Sequence, residues 1–95
     1  MPVISPLHAA VGEALRELRG ERAMSQEAVA LEAGLNRGYY SGIERGVRNA
    51  ALANLAKIAD ALDVPTSEIF MRAEAIVAAA KPSRHRSGNA RGQRA

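Results

Sequence analysis

The stretch SQEAVALEAGLNRGYYSGIERG, Ser25 to Gly46, leaves only Gly34-Leu35-Asn36 to turn the chain between two short helical segments. Ser25 reads as a helix N-cap, and Glu27 places negative charge in the first turn. Ala28, Val29 and either Leu31 or Ala33 are the residues this segment buries, and Gly34 stops it. Asn36 then caps a second segment that runs to Glu44 or Arg45 and ends at Gly46.

The remaining chain reads as three further helices. Val11, Leu15 and Leu18 recur at helical spacing between Leu7 and Arg19, with fraying expected around Gly20. After Asn49, read as the next cap, Leu52, Leu55, Ile58, Ala59 and Leu62 form an apolar stripe that Pro65 closes. A fifth helix is capped by Thr66 or Ser67 and continues to about Ala80. Strands have almost no support. The fold class is therefore all-α, a compact five-helix bundle over residues 7–80.

Composition narrows the function. There is no cysteine, so disulfides, cysteine zinc sites and thiol chemistry are excluded. No run reaches the roughly 18 apolar residues of a membrane span, and the N-terminus lacks a secretory pattern, which predicts no membrane and a cytoplasmic location. His8 and His85 are not spaced with each other or with carboxylates as a metal site, and no phosphate-gripping glycine motif is present. No catalytic residue, cofactor or metal is expected, and the chain is not read as an enzyme. Residues 1–70 carry seven basic and nine acidic side chains, whereas residues 71–95 carry six basic and one acidic. The high pI belongs to the end of the chain, where KPSRHRSGNARGQRA, residues 81–95, reads as a basic disordered tail. Any nucleic-acid role for the folded part must rest on where particular residues lie.

With SQEAVA, AGLNRGYYSGIERGVRN, LANLAKIADALDV and SEIF in hand, the chain resembles the Cro and phage-repressor type of helix-turn-helix domain, the XRE-like family, over roughly residues 15–70. The resemblance implies a lambda-repressor-like fold and a transcriptional regulator that binds double-stranded operator DNA as a homodimer. It makes residues 36–45 the recognition helix, whose exposed face meets base edges in the major groove. Tyr40 and Ile43, three apart, would lock that helix into the core. Arg37, Gly38, Ser41 and Gly42 would face the bases, with the Arg37 fork suited to guanine O6 and N7.

The same resemblance assigns backbone contacts to Ser25, Gln26, Asn36, Tyr39, Arg45, Gly46 and Arg48, which position the domain without reading sequence. Gln26 would also brace the first recognition-helix side chain, and the Gly46 amide would meet phosphate. Arg19 and Glu44 match a buried structural ion pair. Ile69, Ala73, Ile76, Val77 and Ala80 of the fifth helix form the expected dimer interface. The sequence departs from the common pattern at Gly38 and Gly42, where side chains are usual, and at Val47 and Ala50, where a basic residue and a proline are frequent. Within this class the chain is similar to restriction-modification controller proteins, which activate and repress; RNA polymerase is a further partner that such a role implies. A phage, plasmid or antitoxin repressor, and a protein-interaction adaptor, are the alternatives.

Overall fold

Five helices carry the chain through residues 2–80, the part described by this computed structural model: α1 (Pro6–Glu21), α2 (Gln26–Ala33), α3 (Arg37–Glu44), α4 (Leu52–Ala61) and α5 (Thr66–Ala80). No strand occurs among the described residues, and no helix among them is long and apolar enough to cross a membrane. The basic tail, residues 81–95, lies outside the described residues.

Local chemistry sets the helix starts. The Ser5 hydroxyl accepts the His8 N–H at 3.1 Å, and Pro6 follows at the first helical position, where a missing N–H is harmless. Ser25 and Asn36 cap α2 and α3 in the same way, accepting the N–H groups of Ala28 at 3.0 Å and Tyr39 at 2.9 Å. Asn49 does not cap α4. Ala51 holds that position with no side-chain bond, because two further residues separate Asn49 from the first turn.

The ends of α1 to α4 share one device. A residue at or just after the cap turns left-handed, and the next N–H reaches back to a carbonyl five residues earlier: Met24 to Arg19, Leu35 to Ala30, Val47 to Gly42 and Val64 to Ala59. Gly34 and Gly46 supply the left-handed turn in two cases, with φ of 71° and 76°. At the end of α1 the turn falls instead on Ala23, at φ 54°. Helix α1 consequently runs past Gly20, where fraying was expected, and stops at Glu21. Ala23→Gly relieves that conformation and is expected to raise stability by roughly 0.5–1 kcal/mol; a lower urea midpoint than the parent protein would refute this.

Leu15 and Leu18 of α1, Val29 of α2, Tyr40 and Ile43 of α3, Ile58 and Leu62 at α4 and Ile69 of α5 are fully or almost fully buried together. Each such side chain contributes roughly 1.5–3 kcal/mol relative to exposure. Helix α1 packs along α5, with Ala14 and Ala73 keeping both helices thin, while α2 packs against α3 and α4. The bundle thereby leaves one side of α3 open.

Leu31 and Leu52, both candidates for the core by their spacing, fall outside it. Leu31 is 82% exposed, and Ala33 takes the inward position of α2 instead. Leu52, expected in the α4 stripe, is 70% exposed because the first turn of α4 extends beyond the bundle. On the opposite side Arg72 of α5 grips Glu21 of α1 through both carboxylate oxygens, at 2.5 and 2.9 Å, and Glu68 at 3.0 Å. Its hydrogen bonds to Glu21 hold that carboxyl below the usual range.

Candidate nucleic-acid interface

The orientation of α3 is set from inside. Tyr40 and Ile43 enter the core, and Glu44 follows them to 1% exposure. A buried carboxylate is costly unless paired and hydrogen-bonded. Arg19 Nε donates to Glu44 Oε2 at 2.7 Å and its Nη2 donates to Oε1 at 3.1 Å. Gln26 Nε2 donates to Oε1 at 2.8 Å, and the Tyr40 hydroxyl donates to Oε2 at 2.5 Å. Burial alone would raise the Glu44 pKa, but the bonds from Arg19, Tyr40 and Gln26 outweigh it and hold the group below its ordinary value. Burial, and then the bond to Glu44, push the Tyr40 phenol upward, so it stays a donor. Arg16 Nη1 adds a fourth hold on the helix end, donating to the Glu44 carbonyl oxygen at 2.6 Å.

The outer face is sparse. The Arg37 side chain is 62% exposed, and its nearest carboxylate, the equally open Glu27, lies at 3.8 Å. An exposed pair of that length contributes little, which leaves the guanidinium available to a ligand. Ser41 and Arg45 are joined: Arg45 Nη1 donates to Ser41 Oγ at 2.7 Å, one helical turn apart. Gly38 is exposed, and a Cβ there would meet only the Asn36 side-chain oxygen, at 3.1 Å.

Gly42 does not face outward. It is buried beneath the stem of Arg48, and a Cβ would lie 3.2 Å from Arg48 Cβ and closer still to Cγ. The expected outward placement of Gly42 fails because the chain leaving α3 folds back over its last turn, with the N–H groups of Val47 and Arg48 both donating to the Gly42 carbonyl oxygen. The two glycines therefore behave differently on substitution. Gly38→Ala gains about 1 kcal/mol of helix propensity but crowds the Asn36 cap oxygen at 3.1 Å, so little net change in stability is expected. Gly42→Ala must displace Arg48, and its expected signature is weaker binding to all DNA sequences with a shallower salt dependence. Equal effects of the two substitutions on salt-dependent binding would contradict this geometry.

Several residues assigned to the backbone are already engaged within the protein. Ser25 and Asn36 act as caps and are exposed. The Gln26 amide is turned inward to Glu44 rather than toward Arg37. The Tyr39 hydroxyl donates to the Asn49 carbonyl at 3.2 Å and accepts from Asn54 Nδ2 at 3.1 Å, so the ring edge is what remains open. The Gly46 amide is not free, because it donates to the Ile43 carbonyl at 3.0 Å and the residue is buried against Ala9. Arg48 keeps its charged end exposed beyond the stem that covers Gly42.

Two short helices, a left-handed turn at Gly34 and an outward α3 face thus occupy one continuous segment. The pattern of the helix-turn-helix family matches residues 15–69, more than half of the chain. The chain belongs to the helix-turn-helix family. It is a sequence-specific DNA-binding transcriptional regulator. Control protein C.MunI of a Mycoplasma species is 47% identical over 60 residues, which are 62% of this chain and 81% of that protein. The restriction-modification controller protein C.AhdI of Aeromonas hydrophila superposes with a TM-score of 0.65 at 46% identity, over 66% of this chain and 96% of the other. The controller protein C.Esp1396I, solved as a tetramer with its natural 35 base-pair operator, superposes with a TM-score of 0.70 at 33% identity, over 77% and 96% of the two chains.

In this helix-turn-helix domain, patterning alone did not single out Gly12, Arg16 or the Tyr40 hydroxyl. Gly12 interrupts an otherwise good helix, AAVGEAL, and that interruption is the one local signal of a close approach. Nor did patterning separate the fifth-helix stripe. Ile69 and Ala73 are fully buried against the same protomer and do not form an outer surface. Ile76 and Val77 are half-buried beside Pro6, Ala9 and Ala10 of α1, and Ala80 is exposed at the helix end.

Proposed function

We propose that this regulator is a restriction-modification controller that occupies an operator as a homodimer. The observation that carries the reading is the open α3 face, with Arg37 exposed and only weakly paired to Glu27 at its start and Arg45 and Arg48 at its end, in a domain similar over most of its length to controller proteins. Arg37 reads bases, Gly38 keeps the backbone low beside it, and Ser41 contributes through its hydroxyl. Arg45, Arg48, Ser25, Gln26, Asn36 and the Tyr39 ring edge lie along the phosphates. Between adjacent major grooves the two recognition helices of a dimer stand about 34 Å apart. Activation from such a site brings RNA polymerase to it as a further partner.

The dimer seat is a groove lined by the apolar Leu7, Val11, Leu52, Leu55 and Phe70 together with His8, Arg48 and Asn49. It takes the place of the Ile69 and Ala73 stripe, because Leu52 is exposed beside the α3–α4 loop whereas Ile69 and Ala73 are spent in the core. Footprinting on the DNA upstream of the coding sequence is expected to show a paired, two-fold protected site, and sedimentation a dimer at micromolar concentration. Leu52→Glu is expected to yield a folded monomer that protects the site at least tenfold less well, while Val77→Glu leaves the dimer intact. Uniformly weak, fully salt-suppressed binding by the parent protein would defeat the operator reading.

A further inference from the structure

We propose that Ser41 selects guanine in the operator and that Arg45 is the positioning residue that restricts it to that choice. The proposal rests on the operator-binding reading above and names the base that one of its contacts selects. Arg37, Ser41 and Arg45 stand four residues apart along α3 and its C-cap, so they share one side of the helix. Arg37 and Arg45 are exposed, and Ser41 is half-buried between them. Arg45 Nη1 donates to Ser41 Oγ at 2.7 Å, and the Arg45 main-chain N–H donates to the Ser41 carbonyl oxygen at 3.0 Å. The peptide entering Arg45 is held from α1 as well, through the 2.6 Å bond from Arg16 Nη1 to the Glu44 carbonyl oxygen.

The side-chain bond decides what the hydroxyl can do. A serine has one O–H to donate and two lone pairs with which to accept. Inside a helix the O–H often turns back to the carbonyl one turn earlier. Among the described residues Ser41 makes no such bond, and its proton is left for a ligand. On the accepting side the guanidinium already takes one lone pair, and its positive charge beside the oxygen repels a second donor. No carboxylate of the described residues pairs with Arg45 to offset that charge. Ser41 is thereby turned from a group that gives or accepts into one that gives.

Base edges differ in what they offer such a group. In the major groove guanine shows two acceptors, O6 and N7, adenine and thymine show one each, and cytosine shows only its N4 amino donor. A donor backed by positive charge suits guanine best and cytosine worst. Without the guanidinium the hydroxyl would serve either kind of base. Gly38, one turn earlier on the same side, has no side chain to share the reading. The other N–H groups of Arg45 stay with the phosphates, so Arg45 acts on the base through the Ser41 hydroxyl. A donor held in place before binding also loses little freedom on contact.

The test measures affinity for the footprinted operator with each base pair changed in turn, symmetrically in both half-sites, and for a shuffled duplex of equal length. With the parent protein one position is expected to prefer guanine over cytosine by about tenfold per half-site. Ser41→Ala is expected to melt no lower than the parent, since alanine is the better helix former. It should narrow the preference at that one position to about twofold or less and leave the other positions unchanged. Arg45→Ala is expected to weaken binding to every duplex and also to narrow the same preference, because the freed hydroxyl can accept from cytosine N4. Arg45→Lys, whose ammonium can still donate to Oγ, restores most of the preference. A Ser41→Ala base profile that superimposes on the parent profile, or one in which a preference for cytosine is lost, would overturn the proposal. So would an Arg45→Ala protein that binds every duplex more weakly with the guanine preference intact. A parent protein that does not distinguish the operator from the shuffled duplex would overturn the operator reading and this one together; a discriminating parent with an unchanged Ser41→Ala profile overturns this one alone.

Discussion

Glu44→Ala is expected to cost about 3–5 kcal/mol of folding stability, the penalty for removing one side of a buried ion pair. The carboxylate is the common acceptor for Arg19, Gln26 and Tyr40, and all three donors lose their partner at once. The Tyr40 hydroxyl suffers most, since it is buried and has no route to water. Small domains have only about 5–15 kcal/mol in total, so operator binding should disappear through unfolding rather than through a lost contact. Urea unfolding followed by circular dichroism measures the loss directly. Tyr40→Phe provides the graded comparison: it removes one of the donors and leaves the ion pair, with an expected cost near 1 kcal/mol. A Glu44→Ala protein within 1 kcal/mol of the parent would show that the network carries no net stability.

The same carboxylate makes stability depend on acid in a defined direction. Its folded pKa is depressed, so the unfolded chain binds a proton more readily and stability rises with pH across that interval. The Glu44 contribution is complete above the ordinary value near 4.5 and is lost as pH falls through the depressed folded value. A stability that stayed flat down to the lowest accessible pH would contradict the shift.

How far the sequence foretold this arrangement depends on what kind of signal each feature leaves. Helices with strong caps and periodic apolar residues were legible: Ser25, Gly34, Asn36 and Gly46 mark their ends by side-chain chemistry that operates within a few residues. The inward face of α3 was legible for the same reason, since Tyr40 and Ile43 are separated by one turn. Gly42 was misplaced because its surroundings are set by Arg48, six residues on, folding back over the helix end. Spacing within α3 put Gly42 on the side of Gly38, and nothing local announced the cover. Ile69 and Ala73 were misread because an apolar stripe does not say whether its partner is the same chain or a copy. The bundle decides that by laying α1 along α5. Asn49 looked like a cap because Asn before a helix usually is one, but its side chain answers to His8, which is near only after folding.

Gly12→Ala should be among the most damaging conservative changes in the protein, even though alanine is the better helix former by about 1 kcal/mol. A Cβ at position 12 would lie 2.6 Å from the carbonyl carbon of Glu44 and 2.9 Å from the carbonyl oxygen of Ile43, nearer still to the Glu44 oxygen. These are main-chain atoms of α3, so no side chain can swing aside. Relief requires α1 and α3 to separate, and Arg16, one turn along α1, must then stretch or release its 2.6 Å bond to the Glu44 carbonyl. Overpacking of this kind costs typically 1–3 kcal/mol and more when backbone must move, so an expected loss near 3 kcal/mol outweighs the helix gain. The functional effect exceeds the stability effect, because the displaced element is α3, the proposed recognition helix. At a temperature where the variant is still folded, operator affinity should fall more than the folded fraction does. Gly20→Ala is the control on the same helix: no atom lies within 4 Å of its added methyl, and it should raise the melting temperature. If Gly12→Ala melts at or above the parent protein, the close crossing of α1 and α3 does not exist in solution, and the placement of the recognition helix described above falls with it.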